Sequence, residues 1–472
     1  MISLISPSRV SYSSSFYTTG GAAATGVPFQ RKAFGAYGRI WVFYSNGTSI
    51  CFRTSSDGGM NWSAETPVTP TSSNLGGNKF SLWWDGIYVH YVFNNATTTL
   101  QYRRGLPNAA GSITWDPARP ITSTNAFLPA ICLDSNGYPV VVYNDFRTGY
   151  GQLWLYRSSS KDGNWTTAPG FPKEITSAAE VAAHPETDVT HTYPSQYWQA
   201  CPVPMLSGKI YVGYYFELSR VYGKVFDGTN FGNEEMPIDS ITTEDAVWSI
   251  ASYEDTVYLA AHTMSGMLLS TRRDKWYTTV LSDIDVETSV NQGTPAISID
   301  DDGTPFVFWM NNDTVYCCTE PRFIPRKLIA GVPMSTGWSL SSFFKEGENT
   351  LGIILGAPVD VPRYVWFSGL LLKDYRYNRI ASTWKDIANK IRVEVEVTNG
   401  SDTGIIMLKF DHIPTANEVR IALAPQLKFL NAQSDTTAEA VTRDDIKGVL
   451  QNTSLTADQK ISQLRAIIRD LR

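Results

Sequence analysis

Two stretches of this chain repeat one another. Pro129-Ala130-Ile131-Cys132-Leu133-Asp134-Ser135-Asn136-Gly137-Tyr138-Pro139 and Pro295-Ala296-Ile297-Ser298-Ile299-Asp300-Asp301-Asp302-Gly303-Thr304-Pro305 share an apolar run, an acidic turn ending in Gly, and a Pro. Each then enters a second apolar run, Val140-Val141-Val142-Tyr143 or Phe306-Val307-Phe308-Trp309. The turn signal recurs at Gly38, Gly86, Gly137, Gly208, Asp255, Gly303 and about Asn349, at intervals of 48, 51, 71, 47, 48 and 46 residues. A period of this kind restricts the fold sharply, because a single short unit cannot bury its own faces and must stack on its neighbours.

Within each unit the pattern reads as strand, tight turn, apolar strand, polar loop, an alternating third strand such as Leu153-Trp154-Leu155-Tyr156-Arg157-Ser158, and a short fourth strand. The fourth strands recur as Thr66-Pro67-Val68-Thr69, Arg119-Pro120-Ile121-Thr122 and Lys173-Glu174-Ile175-Thr176. Four short strands per repeat predict an all-β fold, a β-propeller. Seven blades are counted, with six the alternative. The last unit, about 336–372, lacks a fourth strand, and the segment around Ser8 to Phe16 is expected to supply it, pairing the two ends of the ring in one sheet. The propeller is assigned to residues 1–377.

Composition narrows the function. Lys and Arg number 39 against 45 Asp and Glu, a net charge of −6, and only 18% of residues are charged. No basic field exists to hold a polyanion by counterion release, so nucleic acid is not an expected partner. The longest apolar stretch, around Leu351 to Ala357, is far short of a membrane span, and no membrane insertion is expected. Residues 1–9 show no basic leader region, and Pro7 and Arg9 interrupt any apolar core, so synthesis in the cytoplasm without a signal peptide is expected. Five cysteines, Cys51, Cys132, Cys201, Cys317 and Cys318, with no CxxC spacing, read as buried thiols and not as disulfides or a zinc site.

Between the third and fourth strands of the first unit lies Ser55-Ser56-Asp57-Gly58-Gly59-Met60-Asn61-Trp62. It resembles the Asp-box, Ser-x-Asp-x-Gly-x-Thr-Trp, of sialidase-like (BNR-repeat) propellers, and Ser158-Ser159-Ser160-Lys161-Asp162-Gly163-Asn164-Trp165 is a degraded copy at the same place in the third unit. The box is a folded hairpin: Asp57 accepts backbone N–H bonds, Gly59 and Gly163 take positive φ, and Trp62 and Trp165 bury their rings. Ser55 and Asp162 complete this structural set. The resemblance implies a sialidase fold over about 20–370 and, for an enzyme of that family, an early Arg in a Phe-Arg-Ile-Pro setting, two further Arg, an Asp and a Tyr–Glu pair. Here the early position holds Pro28-Phe29-Gln30-Arg31-Lys32-Ala33, whose flanks depart from that pattern.

In a four-stranded blade the hairpins resembling Asp-boxes mark one end. The second-to-third loops and inter-blade connections share the other end, which is therefore the expected binding face. Arg31, Arg147 and Arg220 are candidates for a bidentate grip on a carboxylate, with Asp145, Glu217 and Asp285 nearby. The widest interval reflects an insertion, 177–199, whose Tyr197 and Trp198 suit stacking on a pyranose. His184, Asp188 and His191 in it have no helical register to define a metal site, and Asp300-Asp301-Asp302-Gly303 lacks the distal Glu of a calcium loop and reads as a turn. No metal and no cofactor is implied.

After about Tyr377 the repeat stops. A small antiparallel sheet is expected over 378–430, from Ile391-Arg392-Val393-Glu394-Val395-Glu396-Val397 through a turn at Asn399-Gly400 to Ile405-Ile406-Met407-Leu408-Lys409-Phe410, with a third strand at Val419-Arg420-Ile421-Ala422-Leu423. The remainder, 431–472, reads as linker and helical tail, with capping-box starts at Thr442 and Thr456 and helices at about 443–450 and 457–471. Ile461, Leu464, Ile468 and Leu471 fall at a and d positions, a seam for oligomerisation or for simple packing. The combination resembles modular attachment proteins of phage or virus particles. It points to a homo-oligomeric virion protein that recognises a glycan or host-surface receptor and docks on itself or other virion proteins, working on the virion or outside the cell. An exo-sialidase or related glycosidase is the alternative.

Overall fold

At the tip of the first repeat Tyr37 and Gly38 have φ of +56° and +69°, the left-handed pair that a two-residue type I′ hairpin requires. Gly86, Gly137, Gly208 and Gly303 also have positive φ, as does Glu254 beside Asp255. Each of these positions joins the first and second strands of a sheet. The periodic turn signal therefore marks the same hairpin each time it is described.

The computed structural model describes residues 10–17, 24–59, 61–70, 76–94, 99–122, 126–145, 152–165, 169–177, 179, 199–215, 220–239, 248–263, 266–282, 295–300, 303–311, 314–319, 326–329, 340–343, 350–356, 364–371, 376–385, 391–398, 403–415, 418–419 and 422–423. Its strands form the predicted β-propeller, and among the described residues up to Leu371 they make seven sheets. Blade 1 is Ala33–Ala36, Arg39–Ser45, Ser49–Ser55 and Thr66–Pro70. Blade 2 is Phe80–Trp84, Val89–Asn94, Leu100–Pro107 and Arg119–Thr122, with Ile113–Trp115 added along its third strand. Blade 3 is Ala126–Leu133, Pro139–Asp145, Gln152–Arg157 and Lys173–Glu174. Blade 4 is Gln199–Pro204, Ile210–Tyr215, Val221–Phe226 and Glu235–Ile238. Blade 5 is Trp248–Tyr253, Thr256–Thr263, Gly266–Arg272 and Trp276–Ser282, and blade 6 is Ala296–Ile299, Pro305–Asn311, Thr314–Thr319 and Arg326–Ile329. Blade 7 contributes only Leu340–Ser342, Thr350–Gly356 and Tyr364–Leu371 from the end of the ring, and Val10–Tyr17 from its start supplies the outer strand. The expected pairing of the two ends in one sheet is thus observed.

The first strands of blades 2 to 7 touch one another in succession, and a parallel bridge between Ala33 and Phe343 joins blade 1 to blade 7. Small polar residues make this close approach workable. The Ser249 hydroxyl accepts the Ile297 N–H at 3.3 Å, and Ser342 donates to the Ile297 carbonyl at 2.8 Å. Ser298 donates to the Phe343 carbonyl. Each hydroxyl satisfies the backbone of the next blade where water is excluded, as buried main-chain groups demand. Between sheets the filling is aromatic: Phe34 of blade 1 stacks on Trp84 of blade 2 at 5.0 Å, and Phe29 on Trp248 at 5.1 Å. Each such ring removed from water contributes about 2–3 kcal/mol. All five cysteines are buried and free, as the spacing indicated.

The two Ser/Asp/Trp turns fold as hairpins but use their acids differently. Asp57 Oδ1 accepts the Asn61 N–H at 2.9 Å and the Ser55 hydroxyl at 2.7 Å. In the second turn Ser160 Oγ accepts the Asn164 N–H at 2.9 Å, which frees Asp162 to pair with Arg119 of blade 2 at 2.6 Å. Trp165 is buried and meets Tyr102 edge-on. A Cβ at Gly163, where φ is +86°, would lie 2.2 Å from Tyr102. Asp134 and Asp300 spend Oδ1 on their own turns, bonding Tyr138 N and Thr304 N at 2.8 and 2.7 Å; Asp301 and Asp302 lie outside the described residues.

Contacts divide the chain after Leu370. In the second unit Arg376–Lys385, Ile391–Thr398 and Thr403–Phe410 form one antiparallel sheet, with Val393, Val395 and Leu408 in its core. The expected strand at Val419 to Leu423 is corrected: Glu418, Val419, Ala422 and Leu423 have helical backbone. The cause is a capping box that the apolar alternation concealed. Thr415 Oγ1 accepts the Glu418 N–H at 3.3 Å while Glu418 Oε2 accepts the Thr415 N–H at 2.8 Å. The tail carrying Ile461, Leu464, Ile468 and Leu471 lies outside the described residues.

Candidate functional site

Every second strand begins at a hairpin turn and ends at the opposite, loop-bearing end. In blades 1, 2, 3 and 5 the residues at those ends are polar and enclosed: Ser45, Asn94, Asn144, Asp145, His262 and Thr263 are all buried. Several brace the rim. Asn94 Nδ2 donates to the Ala126 carbonyl of blade 3 at 2.6 Å, and Trp248 Nε1 of blade 5 donates to Gln199 Oε1 of blade 4 at 3.1 Å. Asn46 Nδ2 reaches Glu65 Oε1 at 2.7 Å. Because buried amides and carboxylates cost free energy unless bonded, this collar fixes the points from which the loops depart. Burial holds the His262 imidazole down to about 4, so at neutral pH it takes part as an uncharged ring.

The centre of the ring is filled by the chain itself. Phe29, Gln30 and Lys32 are 0% exposed and Arg31 is 3% exposed. Gln30 Nε2 donates to the Pro129 carbonyl of blade 3 at 2.8 Å. Leu128, at φ +47° within a bulge of that strand, precedes this carbonyl. The Phe29 carbonyl accepts from Cys201 of blade 4 at 3.4 Å, and the Gln30 carbonyl accepts from Ser341 of blade 7 at 2.8 Å. The Arg31 guanidinium donates to the Ile250 carbonyl of blade 5, and burial pushes its pKa down to about 10. Lys32 Nζ donates to the Gly77 carbonyl at 2.6 Å, to Gln30 Oε1 at 3.0 Å and to the Phe80 carbonyl. Three acceptors match the three protons of an ammonium, while burial holds the Lys32 pKa well below its ordinary value. Residues 27–32 thus plug the axis and tie blades 1 to 5 and 7 to a common hub.

This placement corrects the expectation for Arg31, which is enclosed in the hub and does not face the loop-bearing rim. Asp145 ends the second strand of blade 3, opposite Ala126 and Gln152. Arg220 lies at the rim before the third strand of blade 4, where its Nε pairs with Asp239 Oδ1 at 2.8 Å. Arg147, Tyr197, Trp198, Glu217 and Asp285 lie outside the described residues, as do His184, Asp188 and His191. Sequence reasoning missed Gln30 and Lys32 because a Gln-Arg-Lys run resembles a solvated loop. The serines of the inner strands, Ser81, Ser249, Ser298 and Ser341, were the available signal, and Ser81 and Ser341 bond Arg31 N and the Gln30 carbonyl.

No protein-family model matches the sequence, and no curated protein matches it. Solved structures with a similar course include the BP39L lectin from Burkholderia pseudomallei, 10% identical with a TM-score of 0.49, covering 82% of this chain and 99% of that one. The phage phi92 endosialidase is 12% identical with a TM-score of 0.38, covering 83% of this chain and 75% of that one. The polysaccharide lyase Uly1 is 11% identical with a TM-score of 0.41, covering 75% of this chain and 92% of that one. At TM-scores below 0.5 these likenesses assign no chemistry to this chain.

Proposed function

We propose that this protein is a glycan-binding propeller that uses its loop-bearing end, without hydrolysing what it binds. The observation that carries the reading is the filled axis. With residues 27–32 closing the channel, a ligand at this end is met by the rim and by the loops that bear Arg147, Tyr197, Trp198 and Glu217. Aromatic rings stack on the apolar face of a pyranose, and amides and carboxylates bond its hydroxyls. Hydrolysis in the manner of a sialidase needs three guanidinium groups on one substrate carboxylate. Arg31 is occupied in the hub and Arg220 is held by Asp239, which favours binding over turnover.

The wider role we propose is attachment: a virion protein in which residues 431–472 dock the propeller on a second copy or on another particle protein through Ile461, Leu464, Ile468 and Leu471. Among the described residues no helix is long and apolar enough to cross a membrane. A glycan array followed by calorimetry on the best ligand tests the binding role. Trp198→Ala and Arg147→Ala are expected to weaken binding about tenfold or more each while a fluorogenic sialoside stays uncleaved. Turnover that disappears in Arg147→Ala would establish the enzyme instead.

A further inference from the structure

The outer strand of a blade leaves one row of backbone N–H and C=O groups without a neighbour, a template on which another strand can add. Most of these edges are blunted. Blade 1 ends on Thr66-Pro67-Val68-Thr69-Pro70, blade 2 on Arg119-Pro120-Ile121-Thr122 and blade 4 on Glu235-Met236-Pro237-Ile238, each with a proline that cannot donate to an added strand. Blade 3 ends on two charged residues, Lys173 and Glu174, and blade 6 on a four-residue strand that begins Arg326-Lys327. Val10–Tyr17 of blade 7 has neither device, but four of its eight residues are serine.

Blade 5 differs. Its outer strand, Trp276-Tyr277-Thr278-Thr279-Val280-Leu281-Ser282, has no proline and no charge, and is built mainly from the aromatic and β-branched residues that favour strands. It pairs with Gly266–Arg272 and is the last strand of its sheet among the described residues. Tyr277, Thr278, Thr279 and Val280 are exposed one after another, Tyr277 at 47% and Val280 at 54%. Alternate side chains lie on opposite faces of a strand, so both faces of the sheet are open along this edge. The flanking sequence says what fits it. Charge runs from basic to acidic across the strand, Arg272-Arg273-Asp274-Lys275 before it and Asp283-Ile284-Asp285-Val286-Glu287 after it. Two antiparallel copies set the basic end of each against the acidic end of the other, whereas two parallel copies would set like charges together. With a two-fold axis at Thr279, the middle of the strand, the whole strand pairs, and Lys275 comes level with Asp283 and Arg273 with Asp285. A slip of one residue in either direction would instead bring Asp274 level with Asp283 or Asp285.

We propose that the outer strand of blade 5 pairs with the same strand of a second copy, antiparallel about Thr279, so that the two blades join into one continuous sheet. The contact uses the same patch on both partners and therefore closes at two copies. Each outer strand runs from the hairpin end toward the loop-bearing end, so antiparallel pairing points the two loop-bearing ends in opposite directions and leaves both free. The strand lies apart in sequence from the loops bearing Arg147, Tyr197, Trp198 and Glu217 and from the tail bearing Ile461, Leu464, Ile468 and Leu471, and the pairing stands independently of the roles proposed above.

Sedimentation velocity of the full chain over a range of concentrations, together with disulfide trapping, tests it. A reversible dimer is expected, weakened about fivefold or more in Thr279→Lys, which sets two like charges directly opposite one another. Thr279 is exposed, so this variant is expected to keep the far-UV circular dichroism of the parent. Oxidation of Thr279→Cys is expected to give a covalent dimer, because residues directly opposite in an antiparallel pair lie about 4.5–5.5 Å apart at Cα, within disulfide reach, and the native thiols are buried. Arg273→Cys, also exposed, is expected not to cross-link, because its two copies stand at opposite ends of the paired strands. Leu464→Asp in the tail is expected to leave the Thr279→Cys cross-link in place, so a failure of this pairing and a failure of the tail reading appear as separate results. The proposal is overturned by a chain that stays monomeric at about 100 μM, by a dimer that Thr279→Lys leaves intact, by equal cross-linking at positions 273 and 279, or by a cross-link lost in Leu464→Asp.

Discussion

Asp57 serves its own hairpin, whereas in the matching turn Ser160 takes its place and Asp162, two residues further on, reaches the neighbouring blade. Asp57→Ala removes the bonds to Ser55, Asn61 N and Asn61 Nδ2. A loss of about 1–2 kcal/mol in urea unfolding is expected, with any glycan affinity of the opposite end unchanged. Two histidines set an acid limit. Burial holds His90 and His262 below the ordinary value of 6.5, His262 at about 4. The unfolded chain therefore takes up protons that the folded chain refuses, and stability falls as pH drops from about 6.5 toward 4. Urea midpoints measured across that window are expected to fall with acidity, and to fall less in His262→Phe. At this scale much was legible, including the turn glycines, because positive φ favours glycine. The fate of Arg31 was not: a charged side chain beside Lys32 normally belongs in water, and only the carbonyls of other blades make its burial tolerable.

Among the elements, the strand Val10–Tyr17 has the clearest consequence. It completes blade 7, whose other three strands come from the far end of the ring. The need for it could be read from the sequence because the last repeat runs out of strand before its composition changes. A chain lacking residues 1–17 is expected to leave an open sheet edge, melt at lower temperature and aggregate on warming, which differential scanning calorimetry with light scattering will register. Short elements were harder to read. Val419 to Leu423 alternates well enough to pass for a strand, and five residues carry too little periodicity to separate the two conformations. The Thr415–Glu418 capping box was the deciding signal. The serines of the inner strands were likewise visible singly, but their meaning depends on a ring that places them side by side.

For the whole molecule, the repeat period specified a ring of sheets, and the ring specified two dissimilar ends. One end carries tight hairpins whose acids are used up in their own turns or in bridges between blades. The other carries a polar collar around a plugged axis, so recognition falls to the side chains that stand above it. The candidate site was legible only as loops, since residue types along a loop do not determine which of them converge. Photocrosslinking with a diazirine-bearing form of the best array glycan, mapped by mass spectrometry, tests the central claim most directly. Labelled peptides are predicted to come from residues 146–151, 178–198 and 216–219, and to be competed by the free glycan. Labelling concentrated in 56–65, 134–138 or 205–209, at the hairpin end, would contradict the account.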